Sequence, residues 1–218
     1  MKRESRTRTT TRRLSAFGIA LILSGITFAR TMQTTVADSA AEAMPLKVGA
    51  RAPDASLRGL DGKAINLHKV LGGRPSVVIF YRGGWCPFCN RHLSDLASIE
   101  GDIERRGYQI VAISPDSPEE LNKTLTKDHL PYKLFSDSSA EAMMKFGVAF
   151  RLDDATFTKY RDNYHIDIEG SSGKSHHILP VPSVFIVDKG GKIIFVHSNP
   201  DYKVRLKGSE ILTAIDSQ

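Results

Sequence analysis

Ser76-Val77-Val78-Ile79-Phe80-Tyr81 is an unbroken β-branched and aromatic run, and Arg82-Gly83-Gly84-Trp85-Cys86-Pro87-Phe88-Cys89 follows it at once. A strand without polar alternation is buried on both faces, so it belongs to a sheet covered by other layers on each side. The two glycines let the chain turn. A helix then begins near Cys86, because Leu93, Leu96, Ile99 and Ile103 recur at spacings of three to four before Arg105-Arg106-Gly107 ends the pattern. The order strand, glycine turn, helix therefore places a thiol on a helix N-terminus.

That position favours an anion. Unpaired backbone N–H groups and the positive end of the helix dipole stabilise a thiolate, so Cys86 is expected to be ionised near neutral pH. Cys89 lies three residues on, and helical neighbours at that spacing have Cα atoms roughly 5 Å apart, within reach of a disulfide. These are the only two cysteines in the chain. A structural zinc centre needs four ligands and usually a second Cys-x-x-Cys pair, which the sequence lacks. A purely structural disulfide closing so short a loop would remove little chain entropy. A reversible Cys86–Cys89 couple is the expectation, with no metal and no cofactor required.

Residues 1–43 read as a targeting segment. Lys2, Arg3, Arg6, Arg8, Arg12 and Arg13 make a basic start, Leu14 to Ala29 is apolar, and Ala41-Glu42-Ala43 fits a small-x-small cleavage site. Cuts after Ala29 or Ala37 also fit, and Thr11-Arg12-Arg13-Leu14 hints at a twin-arginine route. The apolar stretch is shorter than the approximately 20 residues of a spanning helix, so cleavage is favoured over an uncleaved anchor. The expectation is a periplasmic or otherwise exported domain over 44–218, without stable membrane insertion after cleavage. The segment also carries most of the charge. Of the formal +6, residues 1–43 hold seven Lys/Arg and three Asp/Glu, leaving 23 basic against 21 acidic residues. No nucleic-acid footprint survives that removal.

The rest of the chain alternates strands and helices. Ala55–Leu57 and Lys63–Leu67 flank Asp61-Gly62 as a hairpin. Gln109–Ser114 is a second buried strand, Ser117 caps a helix started by Pro118, and Leu134–Asp137 is a short strand. A helix runs from about Ala140 to Phe146. Residues 148–180 form a long excursion in which Phe157, Tyr160 and Tyr164 recur at helical spacing, read as core packing, with a lid or substrate wall as the alternative. Gly170-Ser171-Ser172-Gly173 reads as an exposed loop. Ser183–Asp188 and Lys192–His197 make a hairpin, and Ser209–Ile215 a last helix. The result is an α/β fold, a central mixed β-sheet with helices on both faces.

This order, with the Cys-x-x-Cys helix start and Val181-Pro182-Ser183 before the hairpin, resembles the thioredoxin fold. The resemblance implies a cis Pro182 facing the cysteines. Gly49-x-x-Ala52-Pro53-Asp54, the Phe80–Cys89 segment, Ser136-Asp137, Phe146-Gly147 and Pro200-Asp201-Tyr202 further resemble the peroxiredoxin-like branch of the alkyl hydroperoxide reductase and thiol-specific antioxidant family. That family implies a peroxidase in which Cys86 attacks a peroxide and Cys89 resolves the product, supported by Trp85, Arg82 and Pro182, with a thioredoxin-like dithiol protein as reductant. Typical members carry a Pro seven and a Thr or Ser three residues before the peroxidatic Cys; counted from Cys86, those offsets fall on Ile79 and Gly83. Members also carry an activating Arg where this chain has Val181-Pro182. Arg82 is the candidate substitute, although an Arg in a glycine-rich loop ordinarily stays solvated. The strand Ser76–Tyr81 also lacks the buried carboxylate of thioredoxins.

Three chemistries compete for the couple. Peroxide reduction stands first on the whole-chain resemblance, thiol–disulfide exchange uses the same two atoms, and Cu(I) binding would add His176 or His177 to the two thiolates.

Overall fold

The computed structural model describes residues 35–218, and the basic start and apolar stretch lie outside the described residues. The strands are β1 (Ser56–Arg58), β2 (Ala64–Asn66), β3 (Ser76–Phe80), β4 (Gln109–Ser114), β5 (Lys133–Ser136), β6 (Ala149–Arg151), β7 (Ile178–Pro180), β8 (Ser183–Val187) and β9 (Ile193–Ser198). Seven of them form one sheet of order β2-β1-β5-β4-β3-β8-β9, and β6 pairs with β7 separately. β3 runs parallel to β4 and antiparallel to β8, so the central sheet is mixed. All five residues of β3 are buried.

Alternation along β3 divides the core in two. Val78 and Phe80 point into one apolar layer and Val77 and Ile79 into the other. The first layer is closed by α1 (Leu67–Leu71), through Leu67, Val70 and Leu71, and by α4 (Glu141–Lys145), through Ala142 and Met143. The second is closed by α2 (Pro87–Arg105), α3 (Pro118–Asp128) and α7 (Gly208–Asp216), which bring Leu93, Leu96, Leu121 and Ile211 to the sheet. Ser117 caps α3 as its sequence suggests, its hydroxyl oxygen accepting from Glu120 N at 3.3 Å.

The excursion departs from expectation in part. It holds α5 (Asp154–Tyr164) and α6 (Ile168–Ser172); Phe157 and Tyr160 of α5 are half-buried and pack against the apolar residues beneath it, as their spacing suggests, whereas Tyr164 is exposed. Gly170–Gly173 is the end of α6 and not an open loop: Asp167 Oδ1 accepts from Gly170 N at 2.8 Å and nucleates the turn, and Gly173 closes it in the left-handed region. A third apolar cluster of Phe150, Leu152, Ile168, Leu179 and Val181 sits beneath it, with Ala37, Ala40 and Ala43 packed against it. The packed body therefore begins ahead of residue 44. Ala37 N donates to Ala149 O at 3.1 Å, and Arg151 N donates to Ala37 O at 2.8 Å. The Val181–Pro182 peptide is trans, not cis. Trans is the ordinary isomer of an X–Pro bond where no tight turn demands cis, and here only Val181 and Pro182 separate β7 from β8, with Val181 N donating to Val148 O at 2.8 Å.

Phe146 joins the two ends of the first layer. Its ring lies 5.0 Å from those of both Phe80 and Phe185 and is fully buried. Phe146→Ala is expected to lower the unfolding free energy by roughly 3–5 kcal/mol, the usual result of emptying a phenylalanine site. Urea denaturation measures this, and a loss below about 1 kcal/mol would show that the layer refills the space.

Candidate active site

The site grows from the end of β3. Tyr81 N still donates to Ile113 O at 3.0 Å, after which Gly83 takes φ +144° and the chain turns. A Cβ on Gly83 would lie 2.4 Å from Trp85 Nε1, and one on Gly84 would lie 1.9 Å from Thr124 Oγ1. No hydroxyl-bearing side chain fits at residue 83, which explains the absence of a Thr or Ser three residues before Cys86. Asp116, just beyond β4, ties the turn down by accepting from Gly84 N at 2.8 Å and from the Ser114 hydroxyl at 3.1 Å.

Cys86 is the N-cap of α2, with φ −91° and ψ 114°, and Pro87 opens the helix. Both cysteines are free thiols, Cys86 1% and Cys89 0% exposed. The Cys86 thiol is lowered from near 9 to about 6, chiefly because the Cys89 thiol donates to it. The Cys89 backbone N–H and the Arg82 and Arg205 guanidiniums add to this against the opposing effect of burial. Burial and the neighbouring Cys86 push the Cys89 thiol up. One thiolate, on Cys86, is the stable form of the pair at neutral pH.

Arg82 is not solvated. It is 3% exposed, Nη2 donates to the Tyr160 hydroxyl at 2.6 Å, and its guanidinium carbon lies 4.3 Å from the Tyr202 ring, 5.0 Å from Trp85 and 5.4 Å from Tyr160. Three aromatic faces replace water around the cation. They also wall a pocket of about 330 Å³ lined by Arg82, Trp85, Cys86, Phe88, Tyr160, Ile166 and Tyr202. The structure thus assigns the excursion to the site wall: Tyr160 comes from α5, Ile166 from the link to α6.

The predicted residues Arg82, Trp85 and Cys86 meet in this pocket, and Cys89 lies directly behind Cys86. Pro182 is buried but does not line the pocket. His176 and His177 lie elsewhere. His176 Nε2 bonds Ser138 O at 2.9 Å and its Nδ1 accepts from Ile178 N, while His177 Nε2 pairs with Glu169 at 2.8 Å and stacks on Phe157. Among the described residues no cluster of three His, Cys, Asp or Glu is arranged to hold a metal.

Sequence reasoning missed Asp116, Tyr202 and Arg205 as site residues, and offered Tyr160 only through the alternative of a substrate wall. Asp116 had a topological signal: β3 and β4 are parallel neighbours, so their carboxyl ends open on the same edge, where sites of such sheets form. Burial raises its carboxyl from 3.8 to about 7. A carboxyl raised on folding contributes stability that is complete below its unfolded value, near 4, and is lost as pH rises through about 7. Stability measured for wild type and Asp116→Asn should therefore diverge, to the disadvantage of wild type, between pH 4 and 7. A difference constant over that interval would refute the burial effect.

A family profile described as the AhpC/TSA family matches residues 48–196. Peroxiredoxin Bcp of Escherichia coli strain K12 is 34% identical over 104 residues, which are 48% of this chain and 66% of that protein. The chloroplastic peroxiredoxin Q of Oryza sativa subsp. japonica is 26% identical over 151 residues, 69% of this chain and 58% of that one. The matched stretches thus span less than two thirds of these relatives' own lengths. Among solved structures, peroxidoxin BcpB from Mycobacterium tuberculosis aligns with a TM-score of 0.61 at 19% identity, covering 79% of this chain and 97% of that one. Reduced Prx3 from Vibrio vulnificus in complex with hydrogen peroxide gives 0.64 at 15%, covering 78% and 99%. These likenesses show the shared fold, a thioredoxin-like α/β sheet.

Proposed function

This chain belongs to the AhpC/TSA family, and from that membership together with the geometry around Cys86 we propose that it is a thiol-dependent peroxidase. The observation that carries the reading is a thiol lowered to about 6 at a helix N-cap, opening on a pocket large enough for a small organic molecule. The Cys86 thiolate attacks one peroxide oxygen; the S–O bond forms as the O–O bond breaks, and the departing alkoxide or hydroxide takes a proton to leave as alcohol or water. The Arg82 guanidinium, held against the pocket by its aromatic cage, lies where that negative charge develops. Cys89 then displaces the oxygen from Cys86, giving the disulfide and water.

The burial of the couple favours this reading over exchange with protein disulfides. Cys86 is 1% exposed, so a peroxide can enter through the pocket while a folded protein's disulfide cannot approach the sulfur in line. Return to the dithiol form by a thioredoxin-like protein then requires the first turn of α2 to loosen. The aromatic wall exceeds the needs of hydrogen peroxide and favours organic hydroperoxides. For location, we read the basic and apolar start as an export leader. The packing of Ala37 to Ala43 against the third cluster supports a cut upstream of Ala37, in place of one after Ala43. No helix among the described residues is long and apolar enough to cross a membrane.

Stopped-flow oxidation of the reduced protein tests the reading. One equivalent of cumene hydroperoxide should consume both thiols with a rate that rises through pH 6, as the Cys86 thiolate forms. Cys86→Ser should abolish the reaction, whereas Cys89→Ser should stop at a sulfenic acid that dimedone traps. Oxidation no faster than that of free cysteine, alongside rapid reduction of insulin disulfides, would replace peroxidase by exchange.

A further inference from the structure

Arg205 lies in the segment between β9 and α7, far in sequence from the cysteines, yet Nη2 is 3.4 Å from Cys89 Sγ. Nη1 donates to Val204 O at 3.0 Å, and Nε is buried without a partner. None of the ion pairs among the described residues includes Arg205 or Arg82. Arg205 is half-buried, its Nε is shut off from water, and no carboxylate among the described residues pairs with it, so an anion formed beside it would be favoured. The group in contact is a thiol, and its deprotonation would convert a weak N–H···S contact into a charge-assisted one.

We propose that Arg205 is a catalytic residue of the resolving step, stabilising the thiolate of Cys89 as it attacks Cys86. The proposal rests on the peroxidase reading. After Cys86 is oxidised to a sulfenic acid, its charge no longer occupies the pair, and Cys89 must lose its proton in a site that otherwise opposes this. The Cys89 thiolate then attacks the Cys86 sulfur. The S–S bond forms, the S–O bond breaks, and the departing hydroxide combines with the proton released by Cys89 as water. Cys89 is oxidised and the sulfenic sulfur reduced by the same electron pair.

The surroundings leave this role to Arg205. Of the titratable groups facing Cys89 or Arg205, the Tyr81 phenol is pushed far up by burial and stays neutral, and burial lowers His92 to about 4 and lowers His197 as well. Both imidazoles have buried Nε2 atoms without partners and carry no charge near neutral pH. Arg82 is held in its aromatic cage toward the pocket, and Cys86 is the electrophile in this step. Arg205 is thus the cation in direct contact with the resolving sulfur.

The decisive measurement is the pH titration of Cys89 by thiolate absorbance in a Cys86→Ser protein, which needs no peroxide and so stands apart from the peroxidase reading. Removing the charge with Arg205→Gln or Arg205→Met should raise the midpoint by about one pH unit or more, a tenfold loss of thiolate, the size expected for an adjacent opposite charge. Arg205→Lys should fall nearer the parent. Two neutral variants are used so that one failing to fold, recognised by far-UV circular dichroism, leaves the other to decide. In the protein with both cysteines, Arg205→Gln should also prolong the life of the dimedone-trappable Cys86 sulfenic acid about tenfold, matching the lost thiolate. A midpoint unchanged in the neutral variants, or Lys displaced as far as Gln, would overturn the assignment.

Discussion

The turn between β3 and α2 is the constraint on which the site depends. Its glycines are wedged between Trp85 and Asp116 on one side and Thr124 on the other, with no room for a Cβ. The strand before it is anchored on both faces and cannot yield, so the direction of α2 and the position of Cys86 at its N-cap follow from that fit. The same turn leaves no room for a hydroxyl-bearing side chain at residue 83. The polar groups left on the pocket wall are Arg82 and the Tyr160 hydroxyl it contacts.

Electrostatics at the site is a competition between burial and two unpaired guanidiniums. Burial raises Asp116 and Cys89 toward their neutral forms, as desolvation does for any acid. Cys86 escapes because donors converge on it: the Cys89 thiol and backbone N–H, with Arg82 and Arg205 behind. Among the described residues neither Arg has a carboxylate to neutralise it, which leaves their field directed at the sulfurs. Arg82 is made tolerable in its buried position by aromatic faces from three separate segments, residues 85, 160 and 202.

Much of the fold was legible because it is written in short-range patterns. The unalternating β3, the i, i+3/i+4 apolar face of α2, the Asp61-Gly62 hairpin and the Ser117-Pro118 helix start each declare themselves within a few residues. The errors fell where long-range contacts override local signals. Arg82 reads as a solvated loop residue because two of the three aromatic faces that bury it, Tyr160 and Tyr202, lie far off in sequence. Phe157 and Tyr160 pack against the third apolar cluster as their spacing suggests, but only the fold shows that Tyr160 also faces the Cys86 pocket. Gly170–Gly173 reads as a loop because its two glycines and two serines outweigh the capping Asp167 just ahead of them, and nothing local to Val181-Pro182 tells its trans isomer from a cis one.

By itself the sequence determined that two thiols sit one helical turn apart at the N-terminus of a helix fed by a buried strand, since spacing and periodicity fix that geometry locally. Only the tertiary structure decided which charges surround them. Arg82 and Arg205 are more than a hundred residues apart, Tyr202 shares the link of Arg205, and Asp116 and Tyr160 come from two further segments; their meeting depends on strand order and on how the excursion folds. The reactivity of a thiol is set by field and burial, which act through space, so the identity of the nucleophile's neighbours emerged only when the chain was folded.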